Sequence, residues 1–243
     1  MQNTLIAFAL CTGMMCIALE NAQAEEPQPG KQVAQKSDVG NGKSIHYWLS
    51  LPKDYSDKKP ASLLIFLHGS GERGNNLDQV LVHGPPKLIK AGKEFPFIVV
   101  SPQLTSDVRR WDVQQLSAML DDLESKYTID KSRIYLTGLS MGGYGTWAWG
   151  AETPERFAAI APICGGGDPE KAKQLTKVPI WAFHGMKDRA VPVERSIEMK
   201  EAIEAKGGDI KLTLYPNASH DSWTESYNNP ELYKWFLSHK RGQ

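Results

Sequence analysis

A chain of 243 residues is long enough for one large domain with a substantial core. Its 28 Lys and Arg balance its 28 Asp and Glu, so it lacks the cationic field that nucleic acid or an anionic membrane surface would require. Its six His and three Cys show no zinc-type spacing, so no metal site and no cofactor are expected.

Residues 5–19 form an apolar stretch too short for a membrane span, and Ala22 and Ala24 after it fit a small-x-small cleavage site. Residues 1–24 are therefore expected to be a secretory leader cut after Ala24, giving a secreted or periplasmic protein with no stable membrane insertion. The alternative is a retained N-terminal anchor. Cleavage would leave Cys164 as the only cysteine, so the fold must hold without an internal disulfide. Residues 25–42 read as a linker or edge segment, and 43–243 as one α/β domain.

From residue 43 onward, strand-like and helix-like runs alternate. Residues 45–49 suit an early strand, and 62–67 are the continuous apolar run of a strand buried on both faces. Residues 69–91 are the longest irregular stretch, expected to fold over the site. A strand at 97–101 ends at Pro102. Asp112 then caps a helix carrying Val113, Leu116, Met119, Leu120 and Leu123 at helical spacing. Residues 133–137 form a β-branched and aromatic strand, followed at once by Gly138-Leu139-Ser140-Met141-Gly142 and a segment able to begin a helix. Two more strands are expected at 157–161 and 179–183. A helix over 194–206 stops at Gly207-Gly208. A last strand at 210–215 and an amphipathic helix at 231–239 close the chain. This alternation predicts a mostly parallel, doubly wound sheet flanked by helices, with no large lid.

The pentapeptide around Ser140 fits G-x-S-x-G in the strand-to-helix context that the motif needs, where a tight turn presents the hydroxyl at the end of a sheet. A serine nucleophile requires a base and an orienting acid. His220 lies in a small polar loop after the last strand and suits the base, whereas His184 begins a turn at the end of its strand. Asp188, on the loop after 179–183, suits the acid, with Asp168 as its competitor. An oxyanion would take the Met141 N–H and one amide of the loop His68-Gly69-Ser70-Gly71-Glu72-Arg73-Gly74. Ser70 is favoured there, with Gly69 and Gly71 as neighbours. Trp111 and Trp223 stand where each would either contact substrate or anchor the core. His83-Gly84-Pro85-Pro86 reads as a stiff turn near the entrance. Arg73 would either pair with Glu72 or Asp78 or grip a carboxylate.

Four stretches together resemble the α/β-hydrolase superfamily: His68 to Gly74, Gly138 to Gly143, Phe183 to Asp188 with Val191-Pro192, and His220-Asp221-Ser222-Trp223. More narrowly they are similar to secreted esterases near dienelactone hydrolase, feruloyl esterases and polyhydroxybutyrate-depolymerase-like esterases. The resemblance spans roughly residues 43–237. It implies the α/β-hydrolase fold, a triad of Ser140, Asp188 and His220, and an oxyanion hole at Met141 and the loop after His68. It also implies small-molecule or saccharide-linked ester substrates. A serine peptidase, an acyltransferase and an idle binding module are the competing expectations.

Overall fold

The computed structural model describes residues 26–242; the expected leader, 1–24, and its cleavage point lie outside them. Eight strands form one sheet: β1 (Gln32–Asp38), β2 (Ser44–Ser50), β3 (Ala61–Leu67), β4 (Ile98–Pro102), β5 (Ile129–Leu139), β6 (Ala159–Ile163), β7 (Trp181–Gly185) and β8 (Lys211–Tyr215). Their spatial order is β1-β2-β4-β3-β5-β6-β7-β8. β2 runs antiparallel to both neighbours, and β4 through β8 pair in parallel. Among the described residues there are also seven α-helices: α1 (Gly84–Lys90), α2 (Val113–Lys126), α3 (Met141–Glu152), α4 (Ala172–Leu175), α5 (Glu194–Glu204), α6 (Trp223–Asn228) and α7 (Pro230–Ser238). This is the expected α/β-hydrolase architecture. No helix among the described residues is long and apolar enough to cross a membrane.

The sheet has a core on each face because successive side chains of a strand point opposite ways. Leu63, Ile65 and Leu67 of β3 join one cluster with Trp111, Leu116, Leu120 and Trp147. Leu64 and Phe66 join the other, with Tyr135, Phe183, Tyr227 and Phe236. The expected helix over the first of these clusters, α2, begins where Asp112 accepts the Gln114 and Gln115 amides. Its Leu116, Met119, Leu120 and Leu123 are buried at helical spacing, as the sequence requires.

Several boundaries differ from the sequence reading. Residues 25–42 include a full edge strand, β1, in which Val33 and Ser37 are buried. β6 and β7 both sit two residues later than 157–161 and 179–183. His184 and Gly185 are therefore strand residues, so His184 does not begin a turn. The stretch 69–91 is not irregular. It holds 3-10 turns at Ser70–Glu72 and Leu77–Val82, then α1, whose first residues are the Gly84-Pro85-Pro86 segment.

Candidate active site

Ser140 sits between β5 and α3 with φ 53° and ψ −117°, a left-handed conformation that a non-glycine residue adopts only under constraint. The constraint is steric and local. A Cβ at Gly142 would lie 1.9 Å from the Leu67 carbonyl oxygen, and one at Gly138 would lie 2.4 Å from the Gly142 oxygen. The two glycines let the start of α3 cross directly over β3. The Ser140 amide then donates to the Ile163 carbonyl at 3.0 Å, and the side chain is left facing outward.

The loop after β8 brings His220 to this serine. Its Nε2 lies 2.9 Å from Ser140 Oγ, and its Nδ1 lies 2.7 Å from Asp188 Oδ2. A carboxylate can only accept, so Nδ1 carries the hydrogen and Nε2 is left to accept from the serine hydroxyl. This approach needs Gly185, where a Cβ would come within 2.2 Å of the Ser219 oxygen. The Asp188 side chain is wholly enclosed. Its other oxygen, Oδ1, accepts the Ala190 and Val191 amides at 2.9 Å each. Asp168 is elsewhere: exposed, it caps the 3-10 turn Pro169–Lys171 by accepting the Glu170 amide. The structure thus brings together Ser140, His220 and Asp188.

Ser70 and Met141 each open a helical turn, so neither N–H has an acceptor within its own helix. Both residues line the same cavity as Ser140. Gly69 is not equivalent, because its N–H donates to Glu72 Oε2 at 2.8 Å. Glu72 is buried, and its own carbonyl accepts from the Gln103 side chain at 2.8 Å. It holds the loop by reaching back three residues to the Gly69 amide, and with glycine at that first position no capping motif marks it in the sequence. His68, just before, is fully buried. Its Nδ1 is 2.5 Å from the Gly69 oxygen, and its Nε2 accepts the Leu104 amide at 3.0 Å. Burial pushes its pKa down to about 4, so it is neutral and its 4.0 Å approach to Glu72 is no ion pair.

A cavity of about 790 Å³ opens beside Ser140, a size suited to small-molecule ligands. Trp111 lines it while also serving as an anchor. The ring stands edge-on to His68 at 4.9 Å, and the indole N–H donates to the His68 carbonyl at 3.3 Å. Trp223 is not among the lining residues. It stands behind His220, edge-on at 5.2 Å, with His83 on its other side at the same distance. The His83 segment therefore packs against the neighbour of His220 and does not wall the cavity. Arg73 pairs with neither Glu72 nor Asp78. Its guanidinium instead donates to the Ser70, Ser106 and Val108 carbonyls, tying the loop after β3 to the loop after β4. Arg109, Arg110 and Tyr144 also line the cavity. No motif marks them in the sequence.

Cys164, Asp188 and His220 present ligand-type atoms within 4.8 Å of one another. The set does not suit a metal ion. Asp188 and His220 are already bonded to each other, and burial pushes the Cys164 thiol up to about 12, keeping it protonated.

Residues 99–232 match the model of the dienelactone hydrolase family. The chain is 31% identical to the bifunctional acetylxylan esterase/xylanase of Neocallimastix patriciarum over 210 residues, which are 82% of this chain and 29% of that protein. It is 23% identical to the "Probable feruloyl esterase C" of Aspergillus niger, over 82% of this chain and 76% of that one. Among solved structures, a thermostable esterase superposes with a TM-score of 0.74 at 32% identity, over 86% of this chain and 63% of its own. The chain thus spans less than two thirds of the bifunctional relative and of the thermostable esterase.

Proposed function

The chain belongs to the dienelactone hydrolase family, and from that premise and the site's geometry we propose a serine hydrolase acting on carboxylic esters. The observation that carries this reading is the unbroken line from Ser140 Oγ to His220 Nε2 at 2.9 Å and from His220 Nδ1 to Asp188 at 2.7 Å. In it, Ser140 attacks the ester carbonyl as His220 takes its proton. Asp188 holds the imidazole in the right tautomer and balances the imidazolium that forms. The oxyanion is received by the Ser70 and Met141 amides. His220 then protonates the leaving alcohol, and water releases the acyl group from Ser140 by the reverse path. Apart from the substrate and that water, these steps use only groups of the chain itself.

The names of the relatives, an acetylxylan esterase and a probable feruloyl esterase, support small or aromatic acyl groups and saccharide-linked esters as substrates. Trp111 on the cavity wall supports a flat or short acyl group. The leader reading supports action outside the cytoplasm after cleavage behind Ala24. Peptide amides should react much more slowly, because the more basic amine must be protonated as it leaves.

The test is a panel of p-nitrophenyl esters of rising chain length, with methyl ferulate, acetylated xylan and aminoacyl amides. A fluorophosphonate probe is applied in parallel. Ester turnover and labelling at Ser140 are expected. Amide turnover equal to that of a matched ester would point to a peptidase. An unlabelled, inactive protein would sink the serine-hydrolase reading altogether.

A further inference from the structure

His184 is a second histidine built into the acid's surroundings. It lies in β7, fully buried, four residues before Asp188. Its Nε2 faces two oxygens, the Val191 carbonyl at 2.9 Å and Asp188 Oδ2 at 3.3 Å. Neither can donate, so Nε2 must bear a hydrogen. Burial holds the pKa of this ring below the ordinary histidine value, which keeps it neutral and leaves Nδ1 bare. That nitrogen then accepts from the Ser196 hydroxyl of α5 at 2.7 Å. Ser196 Oγ also lies 3.3 Å from the Gly165 carbonyl, at the head of the Gly165-Gly166-Gly167 turn. Gly166, Gly167 and Met199 of α5 line the substrate cavity. The charged or titratable groups facing His184 are Asp188 and, beyond it, His220.

We propose that His184 is a positioning residue, which aims the Asp188 carboxylate at His220 and is itself held by Ser196 of α5. The proposal rests on the serine-hydrolase reading above. The physical need is specific. The Ala190 and Val191 amides fix Oδ1 from within the acid's own loop. That loop must itself be held against the sheet, and the His184 N–H holds it by donating to the Val191 carbonyl. The same N–H stands 3.3 Å from Oδ2, which places its positive end beside the oxygen that faces His220. Ser196 sets the tautomer that makes this donation available.

The experiment compares wild type with His184→Leu, His184→Gln and Ser196→Ala, using steady-state kinetics on one soluble ester and proton NMR. The NMR readout is the low-field signal of His220 Nδ1–H, which reports the bond to Asp188. Leucine removes the donor at similar bulk, whereas the glutamine amide can place an N–H where Nε2 was. His184→Leu should lower kcat about 10- to 100-fold, the usual consequence of a small misplacement of a catalytic group. KM should stay within about threefold, because no substrate contact is lost. The low-field signal should shift or disappear. His184→Gln should recover most of the kcat and restore the signal, and Ser196→Ala should fall between. A folded leucine variant with wild-type kcat and signal would overturn the proposal. So would a glutamine variant no better than leucine. If the leucine variant does not fold, Ser196→Ala decides: wild-type kcat with an unmoved signal overturns the proposal. Wild-type labelling by fluorophosphonate separates the two levels. An unlabelled wild type brings down the hydrolase reading, whereas a labelled wild type with indifferent variants brings down only the role of His184.

Discussion

The two sides of Ser140 are built on opposite plans. On one side, His220, Asp188 and His184 form a chain in which each donor meets an acceptor, and the carboxylate is sealed from solvent. On the other side lies an open cavity whose wall carries Arg109 and Arg110, both exposed and without a protein partner among the described residues. A sealed, fully bonded network costs no reorganisation when charge develops, which suits the chemical step. Exposed side chains without partners are left to be satisfied by whatever binds, which suits selection of the substrate. Damage to the first side should therefore appear in turnover, and damage to the second in the ranking of substrates.

The largest expected effect breaks the comparison at its hinge. Ser140→Ala removes one oxygen from the turn and should cut ester turnover on the order of 10⁴-fold or more, with the fold retained. Circular dichroism checks the fold, and fluorophosphonate labelling should vanish. Most of the activity surviving in a folded variant would remove Ser140 from the reaction. Next in size, Asp188→Asn should cost roughly 10³- to 10⁴-fold in kcat by favouring the wrong imidazole tautomer. Asp168→Asn should cost little in kcat, since that carboxylate caps an exposed turn on the cavity side. Steady-state kinetics of the two variants, measured side by side, decide the matter. The opposite ranking would move the acid to the glycine turn.

The bonded side is also the side most legible from sequence. Gly138 and Gly142 flank Ser140 because backbone crosses within van der Waals contact there, and such a constraint leaves a fixed spacing. Asp188 and His220 are legible because both follow strands in the order that the fold dictates. Chain geometry alone gives His184 no such mark. Its placement depends on β7 running two residues further than its apolar run indicates. β6 and β7 are buried on both faces, so alternation fades and the strand ends cannot be read from periodicity. β1 fails for the opposite reason. An edge strand needs few apolar residues, and Gln32–Asp38 buries Val33 and Ser37 among polar neighbours. Arg73 was open to misreading because its acceptors are carbonyls, two of them more than thirty residues away at Ser106 and Val108. Backbone oxygens carry no sequence signature.

A third prediction sharpens the comparison through pH. His68 anchors the loop that carries the Ser70 amide, and burial lowers its pKa to about 4. In the unfolded chain it would titrate near 6.5. Between those values the unfolded state binds the extra proton, so stability falls as pH drops from 6.5 toward 4 and levels off below. The loss is about 3 kcal/mol from this residue. His184, lowered for the same reason, acts in the same direction. Urea unfolding at pH 7.5 and 4.5 should show a smaller loss for His68→Asn than for wild type. Equal losses would mean that His68 is not held neutral by the fold.

The smallest expected effect belongs to the open side. Arg109 and Arg110 line the cavity with Trp111, on the loop between β4 and α2. Two exposed guanidinium groups without a carboxylate partner should favour an ester that carries a negative charge on one arm. Exposed ion pairs contribute about 0.2–1 kcal/mol each, so both together are worth about two- to thirtyfold in kcat/KM. The comparison is ethyl hydrogen succinate against ethyl butyrate, which match closely in reach and differ in charge. An Arg109→Gln, Arg110→Gln double variant should lower kcat/KM for the anionic ester by about two- to thirtyfold more than for the neutral one. The difference should sit in KM, because these groups do not touch the reacting atoms. It should also shrink in wild type at high salt, where the Debye length drops to about 3 Å at 1 M and exposed charges are screened. A double variant that loses the same factor on both esters would mean that the arginines shape the cavity without selecting charge. A loss confined to kcat would mean that the open side reaches the triad, and the division between the two sides of Ser140 would then have to be redrawn through the loop that Arg73 ties down.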